Sequence, residues 1–408
     1  MQTSLARRDI LRAALSGATT LALGAPAFAQ VAKQPFAEWV EVFRARARAK
    51  GISDATYSRV MGGLKPDTTV FAELRNQPEF NQQLWQYINR RVSDWRIQAG
   101  QERAKTYQAL LARIEKDLGV ERGVILGLWG IESTFGDPLV QQNHSRPVFP
   151  ALAALAWGEP RRRAYWETEL INALRIVEKG WSNPKEMVGS WAGAMGHTQW
   201  MPEVWLNVGF DYDGDGKVNP FGKPDDALGS SARYLVNRGK YRRGEHWGYE
   251  VRAGGRGSDE TSRSYEAWQK LGVTRADGQP FPRPNLTAKL WVPVAGGPAF
   301  LLGPNFYAIK SYNPSMNYVL AIVHLGDRVL GGGPFVQHFP GSEERAPTLA
   351  EVQEMQKRLT AAGFDTGGTD GRVGNLTMLA ARNFQHKAGL TPADGYLGLK
   401  LLAKLRGG

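Results

Sequence analysis

Residues 123–136 carry the sequence GVILGLWGIESTFG. At helical spacing, one face of this stretch is formed by Ile125, Leu128, Trp129 and Glu132. That face is apolar except for the glutamate, so its carboxyl group should lose hydration and have a raised pKa. A carboxyl group that stays protonated near neutral pH can donate a proton to a leaving oxygen. Glu132 is therefore a candidate general acid, although a glutamate that ends a helix and points into solvent gives the same pattern.

A second segment, residues 190–202, reads SWAGAMGHTQWMP. Its small residues allow close approach of the backbone, while its aromatic and amide side chains can stack on a ligand and hydrogen-bond to it. A buried packing loop of small residues is the alternative interpretation of the same segment.

The rest of the chain is predicted to be mainly helical up to about residue 185, because apolar residues recur at three- and four-residue spacing. Residues 240–306 differ, since glycine and proline are frequent and short strand-like pieces such as 288–292 occur. This pattern predicts a small irregular insertion. A helix is predicted from about residue 318 to 329.

Residues 331–347 are rich in turn formers and charge and are predicted to be a linker. They divide a catalytic region, 30–330, from a compact C-terminal unit, 348–408. Within that unit, residues 370–374 and 394–398 both follow the pattern D-G-x-x-G before a predicted helix. The repeated phrase indicates an internal duplication in which glycines supply turns with positive φ.

The chain has 408 residues, a formal net charge of +12 and no cysteine. The charge favours an acidic partner, which could be nucleic acid, an anionic cell-wall polymer or a membrane surface. The missing cysteine excludes disulfides, thiolate metal sites, a cysteine nucleophile and a lipidated N-terminal cysteine.

Residues 1–29 are predicted to be an export signal. Arg7, Arg8 and Arg12 precede a small-residue apolar stretch, and residues 27–29 read AFA, the A-x-A pattern of a cleavage site. The arginine pair resembles a twin-arginine signal, with a Sec signal as the alternative. The mature protein is expected to be periplasmic and soluble, and no later run of about 20 apolar residues predicts a membrane span.

Residues 211–219 read DYDGDGKVN. Aspartates at relative positions 1, 3 and 5 followed by glycine at 6 are typical of the start of an EF-hand calcium loop. Position 12 is Gly222 instead of the usual glutamate. A metal-free surface turn rich in Asp and Gly is the alternative.

Together, residues 123–136 and 190–202 resemble the MltB type of lytic transglycosylase. That family has the phrases G-x-E-[ST]-x-[FW]-G and S-x-A-G-A-M-G-x-x-Q-[FW]-M-P, which match residues 130–136 and 190–202. Its third phrase, Y-N-x-S-x-x-Y, matches residues 312–318. The resemblance covers about residues 35–330. It implies a lysozyme-like α+β catalytic body with Glu132 as the acid/base, and a sugar site lined by Ser190, Gln199, Asn313 and Tyr318.

The resemblance also implies the reaction. The family cleaves the MurNAc–GlcNAc β-1,4 bond of peptidoglycan and leaves 1,6-anhydro-MurNAc ends, with one carboxyl group and no cofactor for the chemistry. Its calcium loop takes a late ligand from an aspartate before an A-[IL]-G-S phrase, which matches Asp226. A structural calcium ion would then be held by Asp211, Asp213, Asp215, Lys217, Asn219 and Asp226. Asp225 competes for the late position because this chain is one residue longer there.

The C-terminal unit resembles the small peptidoglycan-binding domain of wall enzymes, which implies a separate three-helix domain. Peptidoglycan strands are the expected partner, other cell-wall enzymes are further candidates, and nucleic acid conflicts with export. A hydrolytic muramidase and a non-catalytic wall-binding scaffold are the alternative functions.

Overall fold

The computed structural model describes residues 34–75, 83–137, 145–342 and 345–407. The predicted export signal at residues 1–29 lies outside them. The helices up to residue 240 are α1 Phe36–Ala49, α2 Asp54–Met61, α3 Val70–Arg75, α4 Leu84–Arg91, α5 Asp94–Thr106, α6 Gln108–Leu118, α7 Arg122–Ser133, α8 Val148–Gly158, α9 Arg163–Glu178, α10 Pro202–Asn207 and α11 Asp225–Asn237. A short ribbon pairs β1 Arg146–Pro147 with β2 Val188–Gly189.

The later elements are β3 Gly248–Arg252, β4 Asp259–Ser264, α12 Tyr265–Lys270, β5 Thr274–Arg275, β6 Thr287–Trp291, β7 Ala299–Leu302, α13 Pro304–Lys310, α14 Met316–Val329, α15 Leu349–Ala361, α16 Asn375–Lys387 and α17 Leu399–Leu405. Contacts divide the described residues into two compact units. The first holds those up to residue 75 and 128–237, and the second holds 83–127 and 238–407.

The first unit is helical and is organised around α8. Every residue of α8 except Pro150 is buried, and the helix packs against α9. A helix that is apolar on all sides belongs in the interior of a domain, as its sequence VFPALAALAWG indicates. In turn, α9 contacts α2 and α10, which encloses the core of this unit.

In the second unit, α14 packs against α4 and α5 and approaches the first half of α7 very closely. A Cβ atom on Gly127 would overlap the carbonyl oxygen of Ile322, and one on Gly326 would overlap the carbonyl of Gly123. The two helix backbones can therefore cross at this distance only because these positions are glycine.

The small insertion expected to be irregular contains short strands paired in an antiparallel sheet, with a register shift where β4 pairs with β6. Five antiparallel strands lie in the order β4-β6-β7-β3-β5, and α12 covers them. The sheet has its own core, formed with Trp268, Val251 and Leu301. Its strands are only two to six residues long, and all four residues of β7 are buried. Such short strands give little alternation in the sequence, which is why the pattern looked irregular.

The C-terminal domain shows the predicted duplication as a repeated contact. Gln356 on α15 accepts a hydrogen bond from the backbone N–H of Gly371 (2.7 Å), and Gln385 on α16 accepts one from Gly395 (2.8 Å). Both glycines have positive φ, +79° and +81°, as predicted. The later glycine of each phrase instead has negative φ and caps the N-terminus of α16 or α17.

This domain rests on α4, within the second unit. Tyr396 packs edge-on against Trp85 with ring centroids 4.8 Å apart, and its hydroxyl accepts a hydrogen bond from Asn89 (3.0 Å). Gln86 donates to Asp394 over 2.6 Å. The second turn phrase thus forms part of an internal interface, which the sequence did not indicate.

Among the described residues, no helix combines the length and the apolar character needed to cross a bilayer.

Candidate active site and metal loop

The helix that carries Glu132 ends in a left-handed turn. After Ser133, the residues Thr134, Phe135 and Gly136 have φ of +55°, +59° and +71°. Positive φ is uncommon for residues other than glycine, and such strained positions cluster at functional sites. The Phe135 ring packs edge-on against Trp129 at 5.7 Å, which holds the turn against the helix.

The helix face that bears Glu132 is buried, as the sequence predicted. Ile125 and Leu128 are fully buried and Trp129 is 1% exposed, whereas Glu132 is half-buried. The glutamate therefore follows a buried, apolar helix face and is itself partly exposed. Its role as the acid stays a prediction.

The segment 190–202 forms a tight double turn. Ser190 accepts a backbone hydrogen bond from Ala194 through its Oγ (3.1 Å), and Met195 and Trp200 exchange two backbone hydrogen bonds of 2.9 and 2.8 Å. The hairpin between these two residues places Gln199 at φ +54°, with its amide donating to the carbonyl of Gly196 (3.0 Å). Ser190 and Gln199 are both half-buried.

These two segments meet through His197. The Trp129 indole donates to His197 Nδ1 over 3.2 Å, and the Ser133 hydroxyl donates to the His197 carbonyl over 2.6 Å. Glu132 and the segment with Ser190 and Gln199 are thus joined within the first unit. No metal-ligand or catalytic spacing in the sequence marks His197, so the sequence alone gives it no role.

The other two predicted sugar-site residues belong to the second unit. Asn313 accepts a hydrogen bond from the backbone N–H of Ser315 (3.0 Å), and Ser315 caps α14 by accepting from Tyr318 N–H. Tyr318 is buried and Asn313 is half-buried at this turn. The turn thus defines the start of α14.

The predicted calcium loop brings three carboxylates together. One oxygen each of Asp211, Asp213 and Asp226 lies within 4.8 Å of the others. Asp225 is not part of this cluster, so the geometry favours Asp226 as the late ligand. Carboxylate oxygens are the donors that calcium prefers, and the set fits that ion.

Of the other three predicted ligands, Asp215 is not part of this cluster, while Lys217 and Asn219 follow it in the same loop. Asp215 accepts a hydrogen bond from the backbone N–H of Lys217 (2.9 Å), and all three residues are exposed. The Asn219 side chain accepts from Phe221 N–H (2.9 Å). The Asp215 and Asn219 side chains thus shape the loop backbone, whereas Lys217 is predicted to offer its backbone carbonyl oxygen to the ion.

Burial and hydrogen bonds shift the pKa values of the loop carboxyl groups in opposite directions. Burial raises the pKa of Asp226, although backbone N–H groups of Asn219 and Tyr212 donate to it. For Asp211, desolvation also acts upward, but backbone N–H donors, foremost that of Gly216, hold its pKa below the usual value. A nearby cation would lower the pKa of Asp226 by favouring its charged form.

Two protein families match this chain: Transglycosylase SLT domain over residues 35–327, and Putative peptidoglycan binding domain over residues 348–405. The chain belongs to the SLT transglycosylase family. The lysozyme-like fold and the separate helical C-terminal domain are thereby confirmed.

Among curated relatives, this SLT transglycosylase is 30% identical to the membrane-bound lytic murein transglycosylase B of Escherichia coli, over 66% of this chain and 73% of the relative. Among solved structures, it resembles SltB3 from Pseudomonas aeruginosa in complex with NAG-anhNAM-pentapeptide. That match has 36% identity and a TM-score of 0.70, and covers 91% of this chain and all of the other. It also resembles the Escherichia coli lytic transglycosylase Slt35 in complex with calcium, at 27% identity and a TM-score of 0.61, over 73% of this chain and 93% of the other.

The chain is therefore an enzyme, a lytic transglycosylase of the MltB and SltB type that acts on peptidoglycan. Peptidoglycan as its expected partner is supported by both matched domains.

Proposed function

We propose that the enzyme cleaves the MurNAc–GlcNAc β-1,4 bond and closes a 1,6-anhydro ring on MurNAc, with Glu132 as the single acid/base. The observation that carries the proposal is the position of Glu132. It is half-buried at the end of a helix whose neighbouring side chains are buried, and this helix end is bonded to the 190–202 segment.

In the first step, Glu132 donates its proton to the bridging oxygen and the bond to C1 of MurNAc breaks. The substrate's own acetamido group stabilises the positive charge that develops at C1. A proton held in a partly desolvated carboxyl group is available for this donation near neutral pH.

In the second step, the Glu132 carboxylate removes the proton from the 6-hydroxyl of the same sugar. That oxygen attacks C1, the anhydro ring closes, and Glu132 is again protonated. One carboxyl group suffices because the nucleophile is internal, whereas glycosidases that use water or a covalent intermediate employ two. The 190–202 segment contains no acidic residue.

Product analysis tests the reaction. We expect sacculi digested with the purified enzyme to release muropeptides whose MurNAc ends are lighter by one water than those made by a hydrolase. Mass spectrometry of the soluble products measures this difference. If all ends carried the added water, the enzyme would be a hydrolytic muramidase. If no product were released, the protein would be a non-catalytic wall-binding scaffold.

We also propose that the loop with Asp211, Asp213 and Asp226 binds a structural calcium ion. The oxygen cluster fits a hard cation, and the similar Slt35 structure contains calcium. The ion would neutralise carboxylates that are packed together and so hold the loop before α11.

Calcium is expected to raise the melting temperature. An ion at 100 times its Kd stabilises the native state by about 2.7 kcal/mol, which corresponds to several degrees for a domain of this size. Differential scanning calorimetry at millimolar calcium measures the shift. Asp226→Asn should remove it, whereas Asp225→Asn, the matched control, should retain it. A flat response of the wild type contradicts the site.

We further propose that residues 1–29 direct export, that the enzyme works in the periplasm without a lipid anchor, and that 331–347 link the catalytic region 30–330 to the wall-binding domain 348–408. The two family matches support the division into a catalytic region and a wall-binding domain. The sequence has no cysteine to which a lipid could be attached.

A further inference from the structure

The imidazole of His197 is held from both sides. Trp129 Nε1–H lies 3.2 Å from Nδ1, and the carbonyl oxygen of Gly222 lies 2.8 Å from Nε2. An indole N–H can only donate and a carbonyl can only accept. Both contacts are satisfied together only by the neutral ring that carries its proton on Nε2. The residue is 7% exposed, so water offers little replacement for either bond.

The backbone of His197 repeats the connection. Its N–H donates to the carbonyl of Pro220 over 3.0 Å, and its carbonyl accepts from the Ser133 hydroxyl over 2.6 Å. Ser133 in turn accepts from the backbone N–H of Gly136 (2.9 Å). His197 thus forms hydrogen bonds both to the end of α7 and to the segment 220–222.

Two glycines show how closely His197 and its turn pack against the neighbouring segments. A Cβ atom on Gly136 would overlap the imidazole of His197, and one on Gly196 would overlap the carbonyl of Pro220. The His197 ring thus packs directly against the backbone of Gly136, and the turn that precedes it packs against Pro220.

Glu132 lies between the two residues of α7 that His197 holds, three positions after Trp129 and next to Ser133. The anchoring segment 220–222 lies between Asn219 and Asp226, two of the predicted calcium ligands. We propose that His197 is a positioning residue, fixed as the Nε2–H tautomer, that anchors the Glu132 end of α7 to the loop before α11. This inference rests on the proposed role of Glu132 and goes beyond it.

Catalysis depends steeply on such placement, because a displacement of about 1 Å costs on the order of 100-fold in rate. His197→Phe keeps a ring of similar size but loses both side-chain bonds. We expect kcat on solubilised, uncrosslinked glycan strands to fall about 10- to 100-fold, with KM within about 2-fold. His197→Gln can form either bond but cannot span both, so its kcat should lie between those of His197→Phe and the wild type.

Trp129→Phe removes the donor from the other side and should lower kcat in the same way. Combined with His197→Phe it should add little, because the bond is already absent. The matched control is Trp157→Phe. It too deletes an indole hydrogen bond, in this case to the backbone carbonyl of Gln34 at 2.8 Å, but far along the sequence from α7, and should leave kcat unchanged.

A measurement on the unaltered enzyme decides the tautomer. Long-range ¹H–¹⁵N correlation spectra should show His197 with its proton on Nε2 at neutral pH. A proton on Nδ1, a doubly protonated ring, or a wild-type kcat in His197→Phe or Trp129→Phe would overturn the inference. If His197→Phe fails to fold, Trp129→Phe and the spectra still decide. If Glu132→Gln keeps its activity, the proposed function fails; if only the His197 and Trp129 variants stay active, only this inference fails.

Discussion

Glu132→Gln is expected to abolish cleavage of peptidoglycan glycan strands while the protein stays folded. The amide has nearly the shape of the carboxyl group but can neither donate the acidic proton nor accept one back. General acid/base groups contribute about 10²- to 10⁴-fold to the rate, and here both steps of the reaction are assigned to the same group. Release of soluble fragments from sacculi measures the activity.

The fold should tolerate this change because Glu132 is only half-buried and lies in the last turn of its helix. The melting temperature therefore serves as the control for structure. Asp137→Asn is the matched control for charge, since it removes the acidic residue nearest in sequence, and its activity should remain. Residual activity of Glu132→Gln above about 1% of wild type would contradict the assigned role.

The second large effect is structural. Gly127→Ala is expected to destabilise the protein by about 3 kcal/mol or more, because the new Cβ would overlap the carbonyl oxygen of Ile322 on α14. Neither backbone can move without separating α7 from α14. The usual gain of about 1 kcal/mol from replacing glycine by alanine inside a helix cannot offset this overlap. Urea unfolding measures the free energy of unfolding.

Gly123→Ala, one turn earlier on the same helix, is the matched control. Its Cβ would first meet Leu330 Cδ1 at 3.1 Å, the end of a side chain that is 50% exposed and free to move aside. We expect this variant to be as stable as the wild type or up to about 1 kcal/mol more stable. Equal stability of the two variants would show that the close helix crossing does not limit substitution.

Much of the fold followed from local patterns. The helical spacing around Glu132 predicted α7, and the pattern of residues 318–329 predicted α14, because a helix buries one face at a period that the sequence displays. The acidic loop was also visible, since its aspartates and glycines stand at fixed spacing. In each of these cases the residues that determine the element are close together in the chain.

The strand order of the insertion was not predictable in the same way. The sheet β4-β6-β7-β3-β5 pairs β3 with β7 and β4 with β6 across intervening elements, and short strands carry no periodic signal that selects a partner. The docking of Tyr396 on Trp85 joins residues more than 300 positions apart and leaves no local pattern either.

The helical body, the glutamate on an apolar helix face and the two domains with their ordered motifs could all be predicted from the amino-acid sequence. The three-dimensional fold was needed to show that His197 bonds the helix of Glu132 to the segment 220–222, and that Asp226 joins the carboxylate cluster while Asp225 does not. The reason is physical. A hydrogen bond or a close backbone approach depends on distances between segments that are folded together, whereas spacing along the chain reports only which side chains share a face of one element.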